Sequence, residues 1–339
     1  MSALIECIQA FTRGERPGSE AISGAFSILM DGDAGDAEIG GFLIGLAAIG
    51  ERPEDLAAGA RALRARMTGI TAPDGAIDTC GTGGDAKGTY NISTAAALVA
   101  AGAGAKVAKH GNRAASSKSG SSEVLAELGV SMTAGPSLVE KALAEANVGF
   151  LFAPAHHSAV RHVAAARKAL RSRTIFNLLG PLANPAGANR QLLGVFDERW
   201  LEPVAQALDT LGAERAWVVR GRDGLDEITT TGETDVVELN NGQVTRFTLT
   251  PADAGLPTAS LDDLIGGSPN DNADALRRVL DGETGPYCDI VVLNAAAALV
   301  IADIATDLKD GAEKARAAIA NGAARQSLDR MAAISRGEA

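Results

Sequence analysis

Residues 76–85 read AIDTCGTGGD, a short apolar segment that runs directly into glycines. The segment predicts a β-strand over residues 76–80. Gly81, Gly83 and Gly84 follow it within four positions, and glycines at such a place allow the backbone to approach a ligand closely. The sequence therefore predicts a ligand-binding turn at the end of a strand, with a plain strand-to-loop turn as the alternative.

This turn also matches a dinucleotide-binding fingerprint at Gly81, Gly83 and Ala86. That fingerprint requires a helix that starts inside the glycines and an acidic residue about 20 positions later. Here the next helix is predicted near Ser93, and residues 86–122 contain no Asp or Glu. We therefore reject a dinucleotide site.

Beyond the turn, predicted strands and helices alternate, which favours an α/β domain with a largely parallel central sheet. Two neighbouring segments that meet at Asn240, Asn241 and Gly242 predict a hairpin. The predicted strands cover residues 76–80, 106–108, 148–152, 192–196, 216–219, 236–239, 243–248 and 289–293, and the predicted helices begin at Ser93 or cover 160–170, 203–211 and 294–304.

Upstream of the turn, apolar residues recur at helical spacing and no strand-like alternation occurs. Three helices are predicted: one around Leu4 to Phe11, one that ends at Gly50, and one that begins at Pro53. The chain is thus divided into a small helical domain over residues 1–72, joined by part of about 158–185, and a large α/β domain over 73–339.

The 339 residues carry a net charge of −11, and 46% of them are hydrophobic. An acidic field opposes binding to nucleic acid or to an anionic membrane. Three cysteines form neither a disulfide framework nor a metal-binding spacing. The N-terminus lacks the features of a signal peptide, and the longest run of small apolar residues, 95–105, is far below the roughly 20 residues of a membrane span. We expect a cytoplasmic protein without membrane or nucleic-acid partners.

Against this acidic background, the acid-free window 86–122 is basic and rich in Ser, Gly and Asn. Such a segment suits phosphate or pyrophosphate, and its loop over residues 109–122 contains no Phe, Trp or Tyr side chain for stacking, which weakens a single-stranded nucleic-acid interpretation. A solvated basic loop is the alternative. Its cations are Lys87, Lys106, Lys109, Arg113 and Lys118.

Asn91-Ile-Ser-Thr94 precedes an alanine-rich helical segment. Ser93 or Thr94 is placed to cap that helix, and a helix N-terminus with free N–H groups can bind phosphate. Ordinary capping explains these residues equally well.

Asp223-Gly-Leu-Asp226-Glu227 follows a predicted strand. Adjacent carboxylates there suit Mg²⁺, which takes one or two carboxylates and completes its shell with water and substrate phosphates. A solvated acidic turn is the alternative.

A cluster of histidines and arginines lies around residues 156–173. Arg167 is predicted within reach of a cleft, and its fork of donors suits a planar carboxylate. His156 and His157 lack an apparent third ligand for a metal site.

Taken together, these segments resemble the anthranilate phosphoribosyltransferase family. The match covers nearly the whole chain and is specific because five modest motifs occur in the family's order. They are GTGGD (81–85), NIST (91–94), KHGNR followed by SSKSGS (109–121), RTIFNLLGPLANP (173–185) and DGLDE (223–227).

The resemblance implies a helical domain joined to an α/β domain, a homodimer formed through the helical domains, and transfer of ribose 5-phosphate from phosphoribosyl pyrophosphate (PRPP) to anthranilate with Mg²⁺. It implies catalytic roles for Lys109, Asp226 and Glu227. It also implies three sets of binding residues. Anthranilate is expected to contact Gly81, His110, Asn112 and Arg167, and the metal is expected to contact Ser93, Asp226 and Glu227. PRPP is expected to contact Gly81, Gly83, Gly84, Asp85, Thr89, Asn91, Ser93, Thr94, Lys109 and Ser121.

The chain departs from the family pattern at Ser158 and Ala165, where the family usually has proline, which affects the start of the helix that carries Arg167. Three alternative functions stay open at this point. Residues 226–234 (DEITTTGET) are similar to the PRPP loop of type I phosphoribosyltransferases, although that loop directly follows a strand and Gly221-Arg-Asp-Gly224 intervenes here. The others are a pyrimidine nucleoside phosphorylase and a nucleic-acid-binding relative.

Overall fold

The computed structural model describes residues 2–114 and 119–339, which form an N-terminal helical bundle and a larger α/β domain. The bundle begins with α1 (Ala3–Thr12), α2 (Ser19–Asp31), α3 (Asp36–Ile49) and α4 (Pro53–Arg64). Then follow β1 (Ile77–Gly81), α5 (Ile92–Gly102), β2 (Val107–Gly111), α6 (Ser121–Glu127), α7 (Pro136–Glu145), β3 (Val148–Phe152), α8 (Ala153–His156), α9 (Arg161–Leu170), α10 (Phe176–Leu179), β4 (Arg190–Gly194), α11 (Leu201–Thr210), β5 (Arg215–Gly221), β6 (Thr234–Asn240), β7 (Gln243–Leu249), α12 (Pro269–Leu280), α13 (Pro286–Ile301), α14 (Leu308–Ala320) and α15 (Ala323–Ser335).

The described strands form one seven-stranded sheet in the order β3-β2-β1-β4-β5-β6-β7. Strands β1 to β5 are parallel, and β6 and β7 add an antiparallel hairpin. The strand order reverses between β1 and β4, and ligands of open α/β sheets bind outside the carboxyl ends of the strands at such a point. The topology thus places a crevice beside Gly81 and Gly194.

Both faces of the parallel strands β1 to β5 are buried, as expected for parallel strands covered by helices on each side. Neighbouring residues of β4 illustrate this: Leu192 packs into the core beneath α5 and α13, and Leu193 packs into the core shared with α11 and the helical bundle. In β5, Trp217 packs into the same core as Leu192, and Val218 packs into the same core as Leu193. The sheet is therefore a rigid layer, and the carboxyl ends of its strands are where a functional site can lie.

Residues after β3 pack against the N-terminal helices. Helix α9 contacts α2 and α3, and α10 contacts α4. The side chain of Arg64 donates to the carbonyl oxygen of Leu182 at 2.9 Å. One apolar core runs through these elements. The domain boundary at residue 72 stays a prediction.

The predicted alternation of strands and helices and the hairpin across 240–242 are confirmed, with shifts of one to three residues at the ends of elements. The helical bundle holds one more helix than predicted, because α2 lies between the first two predicted helices. The predicted strand over 289–293 is wrong: α13 is a single 16-residue helix. It lies against α5 and α14 and buries nearly every residue, and a helix that is apolar on all sides has no period to distinguish it from a buried strand.

Candidate active site

A cleft of about 790 Å³ opens at the carboxyl ends of β1 and β2, between the sheet and the segment around α9. Every residue to which the family resemblance assigned a catalytic, substrate-binding or metal-binding role lines this cleft, although these residues come from positions 81 to 227. They are Gly81, Gly83, Gly84, Asp85, Thr89, Asn91, Ser93, Thr94, Lys109, His110, Asn112, Ser121, Arg167, Asp226 and Glu227.

The glycine turn after β1 is held in place by the loop that follows β5. The backbone N–H of Gly83 donates to Asp226 Oδ2 at 2.7 Å. Gly83 and Gly84 have φ angles of +67° and +83°, which residues with a side chain rarely adopt. The glycines are thus required by the backbone path, and their N–H groups lie beside a carboxylate.

The N-terminus of α5 differs from the predicted arrangement. The helix begins at Ile92, so Asn91 is the N-cap residue, and the prediction that Ser93 or Thr94 caps the helix is wrong. Because Ser93 is the second residue of the helix, its backbone N–H donates to Glu227 Oε1 at 3.1 Å. A carboxylate at a helix N-terminus is stabilised by the helix dipole, and this one comes from another element of the chain.

Asp226 and Glu227 are partly buried where the loop after β5 meets the cleft. Desolvation, followed by the charge of Asp85, raises the pKa of Asp226 to about 7. Desolvation, followed by the charge of Asp226, raises the pKa of Glu227 to about 8. A nearby cation would favour the ionised forms of these desolvated carboxyl groups.

Lys109 lies on β2 rather than on the predicted loop, which begins only after Gly111. Its side chain is 3% exposed, and Nζ donates to the carbonyl oxygen of Thr79 at 2.6 Å and to Ser93 Oγ at 3.4 Å. Burial lowers the pKa of Lys109, and the charge of Asp78 acts in the opposite direction. Lys109 is therefore held in a fixed position at the floor of the cleft.

The other cations of the basic window do not act together. The exposed Arg113 lines the cleft. Lys106 lies instead at the amino end of β2, where its Nζ donates to Asn147 Oδ1 at 2.6 Å. Lys87 lies near Gly224, outside the cleft. Lys118 falls outside the described residues. The prediction of one continuous polyanion-binding window is thus wrong at Lys87 and Lys106.

On the side of the cleft that faces α9, two buried histidines meet. The rings of His110 and His157 are 5.1 Å apart. Burial lowers the pKa of His110 to about 3 and that of His157 to about 4, so both are neutral at pH 7. Arg167 is half-buried, with its guanidinium 5.2 Å from the centre of the Phe176 ring. This side offers the Arg167 guanidinium and neutral rings to a planar acid.

Sequence reasoning missed a buried network that supports Lys109. Asp78 accepts from Asn184 Nδ2 at 2.7 Å and from the backbone N–H of His110 at 3.0 Å. Asn184 also donates to the carbonyl oxygen of Ala108 at 2.8 Å. Asp78 and Asn184 both lie inside segments quoted above, but only the folded structure reveals their pairing.

The threonines after Glu227 do not form a phosphate-binding loop. Thr229, Thr230 and Thr234 are fully buried. The hydroxyls of Thr229 and Thr231 both donate to Asp223 Oδ2 at 2.6 Å. This packing contradicts the alternative of a type I phosphoribosyltransferase.

Within the described residues, no group of three or more His, Cys, Asp or Glu side chains is arranged to hold a metal. His156 Nδ1 instead contacts the carbonyl oxygen of Thr68 at 2.7 Å. A cation beside Asp226 and Glu227 must therefore take oxygen ligands from other sources, which agrees with the way Mg²⁺ binds through substrate phosphates. In the same part of the chain no helix is both long and apolar enough to cross a bilayer.

Known proteins are similar to this chain along nearly its whole length. Residues 5–67 match the model of the glycosyl transferase family, helical bundle domain, and residues 73–325 match that of the glycosyl transferase family, a/b domain. The chain is 62% identical to an anthranilate phosphoribosyltransferase of Maricaulis maris over 100% of both chains. It is 60% identical to that of Rhodospirillum rubrum, over 94% of this chain and 92% of the relative.

Two solved structures are similar throughout. The anthranilate phosphoribosyltransferase of Thermus thermophilus superposes with a TM-score of 0.93 at 45% identity, covering 99% of this chain and 100% of that one. The enzyme of Saccharomyces cerevisiae in complex with PRPP and Mg superposes with a TM-score of 0.91 at 28% identity, covering 98% of each chain.

Proposed function

Because the chain belongs to the anthranilate phosphoribosyltransferase family, we propose that PRPP and Mg²⁺ bind between the glycine turn, α5 and the Asp226–Glu227 pair, with anthranilate beside Arg167. The enzyme transfers the 5-phosphoribosyl group of PRPP to the amine of anthranilate. The products are N-(5-phosphoribosyl)anthranilate and pyrophosphate, in tryptophan biosynthesis. The observation that carries the proposed site is that residues from five separate motifs line one cleft.

The phosphates of PRPP need donors, and one wall of the cleft supplies them. The glycine turn presents backbone N–H groups, and the α5 N-terminus presents further N–H groups with the hydroxyls of Ser93 and Thr94. Both kinds of donor bind phosphate oxygens. The assigned PRPP-binding set, from Gly81 to Ser121, is consistent with this wall.

The residues around Asp226 fit Mg²⁺. They offer two carboxylates and the Ser93 hydroxyl, all oxygen donors of the type that Mg²⁺ prefers. The raised pKa values of Asp226 and Glu227 mark a place where a divalent cation would relieve repulsion. When bound, Mg²⁺ would offset the charge of the departing pyrophosphate.

In the chemical step, the anthranilate nitrogen forms a bond to C1 of the ribose while the bond from C1 to the pyrophosphate oxygen breaks. The ribose carbon gains oxocarbenium character, as in glycosyl transfer. The pyrophosphate leaves with the bonding electron pair, and the new C–N bond is followed by loss of one amine proton to water or to the released pyrophosphate. The buried ammonium group of Lys109 favours the departure of pyrophosphate. The protein mainly positions two substrates and stabilises charge.

The acceptor amine requires no strong base. An aniline nitrogen is already neutral at pH 7, and the neutral His110 lies on the anthranilate side with Asn112 and Gly81. Arg167 matches the carboxylate of anthranilate by charge and by the shape of its donor fork. We therefore expect no covalent enzyme intermediate.

We also propose that the enzyme is a homodimer in the cytoplasm, paired through its helical domains. In support, α3 exposes Ile44, with 41% of its surface accessible. An interface between two helical domains would cover this side chain. Light scattering that gives a monomer mass at micromolar concentration would contradict the dimer.

The direct test of the function is the fluorescence of anthranilate in the presence of PRPP and Mg²⁺. Fluorescence should fall as anthranilate is consumed, with one pyrophosphate released for each molecule. A nucleoside phosphorylase would instead release base from a pyrimidine nucleoside with inorganic phosphate. No consumption of anthranilate at millimolar PRPP would contradict the assignment.

A further inference from the structure

Behind the NIST segment lies a buried side chain that the sequence did not single out. Asn272, in the first turn of α12, is 1% exposed and does not line the cleft. Its Nδ2 donates to Asn91 Oδ1 at 2.9 Å. An asparagine outside the cleft thus contacts the N-cap residue of α5 directly.

The orientation of the Asn272 amide is fixed from its other end. The backbone N–H of Gly267 donates to Asn272 Oδ1 at 2.8 Å. Because an N–H group pairs only with the oxygen of an amide, the nitrogen of Asn272 must face Asn91.

This orientation determines which end of Asn91 is available to a ligand. Asn91 Oδ1 accepts from Asn272 Nδ2 and also from Ser119 Oγ at 3.1 Å. An amide oxygen has two lone pairs, so both are occupied. Asn91 Nδ2 carries two N–H groups, and one of them donates to the carbonyl oxygen of Ser119 at 3.3 Å. Asn91 can therefore offer its second N–H group to a ligand, and phosphate oxygens require such donors.

The segment that contains Asn272 also supports the backbone of residues 88–91. The N–H of Tyr90 donates to the carbonyl oxygen of Leu264 at 3.0 Å, and the N–H of Gly266 donates to that of Gly88 at 2.9 Å. Thr89 and Ile265 form a β-bridge. Residues 264–272 thus support the backbone segment that lines this part of the cleft.

We propose that Asn272 is a positioning residue for PRPP: it holds Asn91 with its amide nitrogen directed to the substrate. The inference rests on the proposed function, in which Asn91 binds PRPP. As a direct consequence, Asn272 should influence the KM for PRPP and leave the KM for anthranilate unchanged.

The substitution Asn272→Asp tests the inference with almost no change in volume. The new carboxylate still accepts from Gly267, but it repels Asn91 Oδ1 and favours a rotated Asn91 amide. The KM for PRPP should rise by about tenfold or more, while kcat at saturating PRPP and the KM for anthranilate change by less than about twofold. The matched control is Asn270→Asp, an exposed asparagine on the same helix, which should leave both KM values unchanged.

A double-mutant cycle with Asn91→Ala shows whether Asn272 acts through Asn91. Asn272→Asp should add nothing to the PRPP KM once the Asn91 amide is absent. An unchanged PRPP KM in folded Asn272→Asp, or an additive effect in the double variant, would overturn the inference. If thermal melting shows that Asn272→Asp is unfolded, Asn272→Ser carries the same test. A different result would contradict the proposed PRPP site itself, namely an unchanged KM for PRPP in the single variant Asn91→Ala.

Discussion

Gly194, the last residue of β4, lies so close to Asp226 that a Cβ at position 194 would overlap the Asp226 carbonyl oxygen. The substitution Gly194→Ala must therefore displace the loop that carries both proposed carboxylate ligands of the metal. We expect it to lower the free energy of unfolding by about 1–3 kcal/mol and to raise the Mg²⁺ concentration needed for half-maximal activity. Denaturation and Mg²⁺ titration measure the two effects. The control Gly232→Ala, which meets open space, should change neither, and a normal Mg²⁺ requirement in Gly194→Ala would contradict the expectation.

Replacing Asp226 with Asn and Glu227 with Gln removes the negative charge from the proposed Mg²⁺ site while retaining its shape. The Mg²⁺ requirement of the double variant should rise by more than about tenfold, since metal sites lose at least this much when supporting groups are removed. Activity measured across a Mg²⁺ series gives the result. The exposed Glu233, replaced by Gln, is the matched control. An unchanged Mg²⁺ dependence would remove the role assigned to the pair.

The same carboxylates predict a pH dependence. Their folded-state pKa values, about 7 for Asp226 and about 8 for Glu227, lie above the values of unfolded chains. The fold therefore favours the protonated forms, and the stability they contribute is present at low pH and is lost as the pH rises through both values. Without Mg²⁺, the contribution of the pair to the melting temperature should be smaller at about pH 8.5 than at about pH 6.5.

Added Mg²⁺ should raise the melting temperature more at the higher pH, because protons no longer compete for the carboxylates. Thermal melts with and without Mg²⁺ at both pH values test this. In the double variant that combines Asp226→Asn with Glu227→Gln, the Mg²⁺-linked pH effect should disappear. A Mg²⁺ stabilisation equal at both pH values in the unaltered enzyme would contradict the assignment.

How much of the site could be predicted depends on how local its residues are. Glycines after a strand, an acid-free basic window and adjacent carboxylates are visible in continuous sequence, and they lead to Gly83, Lys109 and Asp226. The parallel sheet then brings them together, because carboxyl ends of neighbouring strands meet at one edge. The residues that support these groups lie far from them in the sequence, so no continuous segment shows the relationship. Gly194, Asn184 and Asn272 look ordinary in their own segments, and only the packing gives them partners.

The errors in the fold have a comparable origin. Residues 289–293 are β-branched and apolar enough for a strand, and only the all-round burial of α13 explains why they are helical. The expectation that Ser93 caps α5 rests on the frequency of serine as a capping residue. The observed partner of its N–H is Glu227, 134 residues away, a contact that no local pattern contains.

The substitution Asn184→Ala tests the buried network beneath Lys109. It removes the bonds from Asn184 Nδ2 to Asp78 and to the Ala108 carbonyl oxygen, and it leaves a buried carboxyl group with one partner fewer. We expect a loss of about 2–4 kcal/mol in the free energy of unfolding, read from denaturant titration. Asn270→Ala, which truncates an exposed asparagine, should lie within about 0.5 kcal/mol of the unaltered enzyme. Equal stabilities of the two variants would show that the network contributes little.

Arg173 connects the segment after α9 to the glycine turn. Its guanidinium donates to the Gly84 carbonyl oxygen and lies 4.1 Å from the centre of the Phe196 ring. Gly84 has a φ of +83°, so an anchor on its carbonyl oxygen helps to keep the turn in the conformation that presents N–H groups to phosphate. Arg173→Ala should therefore raise the KM for PRPP by about threefold to tenfold and leave kcat nearly unchanged.

Arg173→Lys should give an intermediate KM for PRPP, because an ammonium group keeps the charge but lacks the planar fork of the guanidinium. The matched control is Arg199→Ala, which removes another exposed arginine that lies over an aromatic ring, 5.0 Å from the centre of Trp200, but outside the cleft. Steady-state kinetics with each substrate varied in turn separate the cases. If Arg173 acted only on stability, kcat and both KM values would stay constant while the melting temperature fell. A selective rise in the PRPP KM instead identifies Arg173 as a residue that positions the glycine turn.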